Sequence, residues 1–264
     1  MHENITSGMP ATGIATGKPA TGIDTIFFDV GNTLRIVLPE PEFRAKARAD
    51  LYRLAGATEP EDVFFEKLTK NWDTFRKFAK TQLLDFSEME LWMQWLLPDF
   101  PKLHIAAHAT RLTRLWRDSD GRRVARQGTA QTLAELVRRG YKLGIIANTI
   151  TETEIPDWMV EDGVAPYFTT VILSSKVRIR KPDPAIYLLA ARCIDSKPEN
   201  CAYIGDNPSR DVEGTRASGY GLMVRVDEPD TLAKEPPTAE CIPDHIIREI
   251  PEVLDIFQGI QKGR

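Results

Sequence analysis

The sequence predicts an α/β protein with a doubly wound core, a parallel sheet and an inserted all-helical domain. Three observations lead to this prediction. Apolar runs that end in polar residues alternate with amphipathic helices in the second half of the chain. One further run of this kind, Thr25–Phe28, stands alone near the N-terminus. Between the two regions, about eighty residues show only helical periodicity.

These patterns also predict the division of the chain. Residues 24–36 and 121–264 form the core, and residues 37–120 form the inserted domain. Residues 1–23 repeat the fragment Ala-Thr-Gly at positions 11, 15 and 20 and have no apolar period. We therefore expect a disordered N-terminal tail.

Composition excludes several classes of protein. The chain of 264 residues is 42% hydrophobic and 27% charged, with a mean hydropathy of −0.29, as is ordinary for a globular protein. A formal net charge of −4 and an isoelectric point near 5.7 argue against a dedicated nucleic-acid binder. No apolar run reaches membrane-spanning length and the N-terminus lacks the apolar core of a signal peptide, so we expect a cytoplasmic protein without a membrane partner.

The first strand leads directly into a carboxylate. Thr25–Phe28 is followed by Asp29 and then by a Gly31-Asn32 turn, as at the end of a buried parallel strand. Ligands bind at this edge of open α/β sheets, so Asp29 is a candidate functional residue. The alternative is an N-cap that begins the next helix, which the Gly-Asn-Thr sequence disfavours.

The inserted domain contains four predicted amphipathic helices: Glu42–Ala55, Glu61–Ala79, Ser87–Leu97 and Lys102–Trp116. No strand pattern occurs between them. Their many aromatic side chains indicate the core of a small helical bundle, with a substrate pocket as the alternative.

The sheet pattern returns after the inserted domain. An amphipathic helix over Thr129–Gly140 precedes the strand Lys142–Thr149. Because parallel strands end at the same edge, Asn148 and Thr149 are expected near Asp29.

A lysine follows the next strand. Phe168–Leu173 leads into a Lys-Pro-Asp-Pro loop, and a helix begins near Pro184. Lys181 lies in this loop, whose prolines hold its ammonium group in one place, as suits a fixed counter-charge. An exposed surface lysine is the alternative.

Two more acids follow the strand Cys201–Ile204, which is predicted as the last strand of the core sheet. Asp206 ends it, and Asp211 comes five residues later. Together with Asp29 they crowd one edge, and such carboxylates repel unless a cation such as Mg²⁺ lies among them. Taken singly, each acid fits a helix cap or a surface position equally well. A short strand at Asp244–Ile247 is predicted further on.

Taken in order, four motifs resemble those of the haloacid dehalogenase superfamily, over about residues 25–222. They are Phe28-Asp29-Val30-Gly31-Asn32-Thr33-Leu34, Ile146-Ala147-Asn148, Arg180-Lys181-Pro182-Asp183-Pro184, and Gly205-Asp206 through Asp211. Each motif alone is weak, but all four in this order are specific. The resemblance implies a Rossmann-like core, a helical cap inserted after the first motif, and a hydrolase of the phosphatase type.

The resemblance also implies a role for each motif residue. Asp29 would attack phosphorus and form an aspartyl-phosphate, which water then hydrolyses. Lys181 and Asn148 would hold the phosphate oxygens, and the cap would select a small phosphorylated substrate. A Mg²⁺ ion would offset the repulsion between nucleophile and phosphate, with ligands from Asp29, the backbone carbonyl of Gly31, Asp206 and Asp211.

Two positions depart from the pattern of this superfamily. Its phosphatases usually carry a second Asp, two residues after the nucleophile, as general acid and base, and this chain has Gly31 there. Losing that group removes a factor of about 10²–10⁴, so the enzyme would be slow, use another group or need good leaving groups. Ala147 stands where Ser or Thr usually bonds the phosphate, and Thr149 and Thr33 are candidate substitutes.

Three functions are therefore compatible with the sequence. The leading one is a Mg²⁺-dependent phosphatase of a small metabolite. A degenerate member of the superfamily that binds a ligand without turnover is the second, because Gly31 and Ala147 weaken the same site. The third is a 2-haloacid dehalogenase, which the Asp206 and Asp211 pair disfavours because such enzymes need no metal. The sequence predicts neither the substrate nor the oligomeric state.

Overall fold

A central parallel sheet organises the molecule. The computed structural model describes residues 17–260. Six strands of this range form the sheet in the order β5–β4–β1–β6–β7–β8, and two others pair separately. In chain order the strands are β1 (Thr25–Phe28), β2 (Arg35–Leu38), β3 (Arg122–Ala125), β4 (Lys142–Ala147), β5 (Phe168–Leu173), β6 (Cys201–Gly205), β7 (Leu222–Val226) and β8 (His245–Ile247).

The register of the sheet brings three strand ends together. Phe28 at the end of β1 lies beside Ile145 of β4 and Ile204 of β6. The pairing continues past the strand, because the Asp29 N–H donates to the Ile204 carbonyl at 2.8 Å. Residues that follow these three strands therefore share one edge of the sheet.

Helices cover both faces of the sheet, as the doubly wound prediction requires. In chain order they are α5 (Thr129–Arg138), α6 (Glu154–Glu161), α7 (Ser174–Val177), α8 (Pro184–Cys193), α9 (Arg210–Ala217), α10 (Pro229–Lys234) and α11 (Val253–Ile256). Successive strand residues point to opposite faces. Phe28 accordingly packs in one hydrophobic cluster and Phe27 in another, each closed by helices.

A helical block lies between β2 and β3. It consists of α1 (Pro41–Ala55), α2 (Glu61–Gln82), α3 (Glu88–Glu90), a π-helical stretch (Leu91–Leu96) and α4 (Lys102–Asp118). Its buried apolar side chains form a cluster of their own, in which aromatic rings pack edge to face. Within residues 17–260, no helix combines the length and apolar character needed to cross a membrane.

An antiparallel ribbon joins this block to the core. Strands β2 and β3 pair from Arg35 opposite Ala125 to Leu38 opposite Arg122. Neither strand is predicted from the sequence, because both are four residues long and neither shows an alternation of apolar and polar residues. The ribbon brings the start and the end of the helical block side by side.

The sheet extends further than predicted. The expectation that Cys201–Ile204 is the last core strand is wrong, because β7 pairs with β6 and β8 pairs with β7. Part of the expected tail also has contacts. Gly17 N–H donates to the Asp244 carbonyl at 2.8 Å, and Ile23 is buried. The rest of that tail, residues 1–16, lies outside the described residues.

Candidate active site

Three carboxylates meet where β1 and β6 end. Asp29 follows β1, Asp206 follows β6, and Asp211 lies in the first turn of α9. All three are buried, and one oxygen of each lies within 4.8 Å of the others. Three negative charges this close need positive charge among them.

Lys181 supplies one positive charge. Its Nζ lies 3.1 Å from Asp29 Oδ1 and 2.8 Å from Asp211 Oδ1, with the side chain fully buried. Nζ also donates to the Tyr203 hydroxyl at 2.5 Å, and that hydroxyl donates to the Ile146 carbonyl at 2.9 Å. Lys181 is therefore held in place by a chain of hydrogen bonds that runs across the sheet.

Asn148 bonds to the backbone of the same lysine. Its amide nitrogen donates to the Lys181 carbonyl at 2.9 Å, and its amide oxygen accepts from the Lys181 N–H at 2.8 Å. These two bonds tie the end of β4 to the lysine loop. Asn148 also lines the cavity beside Asp29, so it positions Lys181 and borders the site at once.

Arg210 supplies the second positive charge, and the sequence analysis does not identify it. Its Nη2 lies 3.5 Å from Asp29 Oδ2 and 3.9 Å from Asp206 Oδ1, and its Nε lies 3.5 Å from Asp211 Oδ1. Burial opposes its charge, but the three carboxylates outweigh burial and raise its pKa. Arg210 directly precedes Asp211 in the fourth motif, which is the one sequence signal that points to it.

The acids differ in their readiness to ionise. Burial, with the nearby charges of Asp29 and Asp211, raises the pKa of Asp206 to about 7. Burial also opposes ionisation of Asp211, but Lys181 and Arg210 outweigh it and lower the pKa of that carboxyl. Lys181 and Arg210 thus lie among three carboxyl groups, and Asp206, 3.9 Å from Arg210, is the most distant from a cation.

A divalent cation fits this arrangement. Asp206 Oδ2 accepts a hydrogen bond from the Thr231 hydroxyl, whereas Oδ1 is buried and has no hydrogen-bond partner among the described residues. Carboxylate oxygens are the ligands that Mg²⁺ prefers. Gly31 lines the same cavity, which leaves its backbone carbonyl as a further candidate ligand.

A cavity of about 310 Å³ opens over these groups. Asp29, Gly31, Asn148, Thr149 and Asp206 border it, as do residues of β2, β3, α4 and α6. The lining residues of these four elements are not predicted from the sequence, because the elements lie far apart in the chain. The charged residues among them are Arg35, Arg117, Arg123 and Glu154.

The two threonines considered as substitutes for Ala147 are placed differently. Thr149 lines the cavity, and its hydroxyl accepts a hydrogen bond from the Thr151 N–H at 3.2 Å. Thr33 is fully buried and is not among the residues that line the cavity. The Thr33 hydroxyl has no hydrogen-bond partner among the described residues, and its role as a substrate ligand stays a prediction.

Comparison with known proteins adds a family and several relatives. A family model for haloacid dehalogenase-like hydrolases matches residues 23–219. The chain is 29% identical to glyceraldehyde 3-phosphate phosphatase of Methanopyrus kandleri over 133 residues, 50% of this chain and 55% of that protein. It is 35% identical to phosphoserine phosphatase of Thermus thermophilus over 122 residues, 46% of this chain and 47% of that protein. The chain thus spans about half the length of these curated relatives.

The fold also matches solved structures. The 2-haloacid dehalogenase from Pseudomonas syringae pv. Tomato DC3000 superposes with a TM-score of 0.63 at 19% identity, covering 89% of this chain and 98% of that one. At this identity the likeness establishes the fold and not the reaction. The prediction of an α/β fold of this superfamily is confirmed.

Proposed function

The chain belongs to the haloacid dehalogenase-like hydrolases, and from this premise we propose that it is a phosphatase of a small phosphorylated metabolite. The observation that carries the proposal is the set of three buried acids, with oxygens within 4.8 Å, around the ammonium of Lys181. A phosphoryl group needs this combination of a nucleophile and fixed positive charge. Both curated relatives named above are phosphatases by name.

In the proposed reaction, an Asp29 oxygen attacks phosphorus and the bond to the ester oxygen breaks. The leaving oxygen takes a proton from solvent and departs as the alcohol, and an aspartyl-phosphate remains on Asp29. Water then attacks the same phosphorus and gives up a proton to solvent, which releases inorganic phosphate and regenerates the carboxylate. Lys181 keeps the attacking carboxylate ionised and oriented, and Arg210 adds positive charge on the side of Asp206.

Mg²⁺ completes the proposed site. Asp29, Asp206 and Asp211 would hold it, together with the carbonyl of Gly31. The unpartnered, buried oxygen of Asp206 supports this assignment. When bound, the metal neutralises charge between the nucleophile and the phosphate.

The proposal includes the departure at Gly31. No carboxylate stands two residues after Asp29 to protonate the leaving group. We therefore expect esters with good leaving groups, such as aryl phosphates, to react fastest. In this proposal residues 37–120 act as the cap that selects the substrate, and the protein works in the cytoplasm.

A second candidate is a 2-haloacid dehalogenase, because a protein of that name has the same fold. The two further acids beside Asp29 argue against this reaction. Attack on a carbon–halogen bond needs one ionised acid, and Asp206 and Asp211 would only add repulsion beside it. A degenerate member that binds without turnover is the remaining alternative.

The experiment is phosphate release from p-nitrophenyl phosphate, with and without Mg²⁺, by the parent and by Asp29→Asn. Asp24→Asn is the matched control, because Asp24 lies just before the other end of β1 and bonds there to Thr25 and Ser196. We expect metal-dependent turnover in the parent and the control and none in Asp29→Asn. Turnover that survives in Asp29→Asn would contradict the assigned nucleophile. A folded parent that releases no phosphate from this ester or from a panel of sugar and nucleotide phosphates would favour the non-catalytic alternative.

A further inference from the structure

Three arginines that lie outside the four motifs line the cavity. We call Arg35, Arg117 and Arg123 the arginine cluster. Arg35 belongs to β2, Arg123 to the adjacent β3, and Arg117 to the last turn of α4. None of the three belongs to a motif identified in the sequence. They border the same cavity of about 310 Å³ as Asp29, so they can contact whatever part of a substrate extends from the phosphate.

One acid among the lining residues pairs with two members of the cluster. Glu154 forms an ion pair with Arg117 and lies 3.7 Å from Arg123 Nε. Burial opposes its ionisation, but these arginines outweigh burial and lower its pKa. Glu154 is thus the cavity-lining carboxylate that pairs with the cluster, whereas the acids Asp162 and Glu161, which also attract Arg35, do not line the cavity. The three guanidinium groups outnumber the cavity-lining carboxylate that pairs with them.

Arg35 is the least compensated member. Its Nη2 donates to the Arg123 carbonyl at 2.7 Å, and its guanidinium lies 5.3 Å from the centre of the Trp158 ring. Among the described residues it has no ion-pair partner, and its Nε is buried without a hydrogen-bond partner. Arg35 thus has donors available for a ligand.

The charged form of Arg123 is disfavoured by its surroundings. Burial and the neighbouring Arg117 charge lower the pKa of Arg123 to about 10. Its other acidic partner, Asp120, is largely exposed and lies 3.4 Å away. A negatively charged group in the cavity would relieve this repulsion.

We propose that the arginine cluster binds a second anionic group of the substrate, a carboxylate or a second phosphate, while Asp29 attacks the first phosphate. This inference rests on the proposed function and specifies its substrate class. Planar guanidinium groups suit bidentate bonds to carboxylate or phosphate. The cavity is at the small end of the range for ligand sites, which favours a compact phosphorylated acid or bisphosphate.

The first test compares substrates that differ in one group. 3-Phosphoglycerate carries a carboxylate where glycerol 3-phosphate carries a hydroxymethyl group, and fructose 1,6-bisphosphate adds a phosphate to fructose 6-phosphate. We expect kcat/KM to favour the member with the second anionic group in at least one pair by about tenfold or more, the scale of a charged hydrogen bond. The preferred pair tells a carboxylate site from a phosphate site. Equal rates within both pairs would overturn the inference.

The second test uses variants. Arg35→Met should lower kcat/KM far more on the member with the second anionic group than on its partner, so that most of the preference is lost, and Arg35→Lys should restore part of the preference. Arg122→Met is the matched control, because Arg122 lies beside Arg123 on β3, pairs with Glu40 at 2.6 Å and does not line the cavity. An equal loss on both members in Arg35→Met would indicate a structural role and overturn the inference.

The outcomes separate the two proposals. If the parent hydrolyses p-nitrophenyl phosphate but prefers neither substrate with a second anionic group, the inference fails and the proposed function stands. If the folded parent releases phosphate from no ester, the proposed function fails and the inference fails with it. Calorimetric binding of 3-phosphoglycerate and glycerol 3-phosphate to Asp29→Asn gives a second readout without turnover. Equal affinities there would count against the inference.

Discussion

Two parts of the cavity wall are built in different ways. In the part around Asp29, which we call the reaction end, Asp29 and Asp206 directly follow paired strands, so the register of the sheet sets their positions. The arginine cluster takes one side chain from each of β2, β3 and α4, and the helical block separates β2 from β3 in the chain. Local sequence thus encodes the chemistry, whereas tertiary packing assembles the surface that we propose selects the substrate.

Among the variants that test the reaction end, Lys181→Met is expected to have the largest effect on activity and stability. Lys181 is fully buried between Asp29 and Asp211, so its loss leaves these acids with Arg210, 3.5 Å from each, as their remaining counter-charge. We expect kcat to fall by about 10²–10³, as when one preorganised donor is removed from an active site. We also expect the free energy of unfolding to fall by about 3–5 kcal/mol, because breaking a buried pair leaves an uncompensated charge.

Phosphate-release assays and urea denaturation measure these two losses. Lys176→Met is the control, because Lys176 is exposed in the preceding short helix α7. If Lys181→Met were as active as this control, the reaction end would not depend on its buried charge, and the contrast between the two parts of the cavity wall would break down.

The variant Gly31→Asp tests whether the reaction end lacks a general acid. A side chain at Gly31 would meet no atom within 4 Å of its Cβ, so Gly31→Asp has room to place a carboxylate two residues after the nucleophile. We expect hydrolysis of alkyl phosphates, whose leaving groups need a proton, to rise by up to about 10²-fold. Aryl phosphates should gain much less.

Gly31→Asn controls for the added volume, since it cannot transfer a proton in the same way. A rise in both variants would be attributed to packing. No rise with Gly31→Asp on alkyl phosphates would mean that another group already acts as general acid.

The smallest expected effect is a pH dependence of stability in the metal-free protein. The Asp206 pKa is raised from 3.8 to about 7 by burial and its acidic neighbours. The folded state therefore holds a proton that the unfolded state has lost, and stability falls as the pH rises from about 4 to 7. One such group changes the unfolding constant by at most about tenfold per pH unit.

Urea denaturation of the metal-free protein at pH values between 5 and 8 measures this slope, and Asp206→Asn should flatten it. Added Mg²⁺ should stabilise the parent more at pH 8 than at pH 5.5, because the ionised carboxylate is the form that binds metal. A slope that is unchanged in Asp206→Asn would assign the titration to another group.

Much of the reaction end could be anticipated because its residues follow strands. Apolar runs predict β1, β4 and β6, and the polar residue after each run marks the sheet edge. Arg210 could not be identified in this way. Whether it turns toward Asp29 depends on the packing of α9 and not on its local sequence.

Other features have no local signal at all. β7 contains a buried arginine, Arg225, which forms an ion pair with Asp227 at 2.7 Å. Because of this arginine, the strand does not appear in the sequence as an unbroken apolar run, although it lies between β6 and β8 in the sheet. β2 and β3 are four residues long and carry cavity-lining arginines, Arg35 and Arg123, so neither has the alternating pattern that identifies a strand. Thr33 is next to the nucleophile turn in sequence, yet its side chain is buried away from the cavity.

The central claim is that Asp29 becomes covalently phosphorylated during turnover. The most direct test is rapid acid quenching of the parent during hydrolysis of a ³²P-labelled ester, followed by peptide mapping. The account predicts an acid-stable, hydroxylamine-sensitive label on the peptide that contains Asp29, and no label on Asp29→Asn. Phosphate release in the parent without any such label, or a label on another residue, would contradict it.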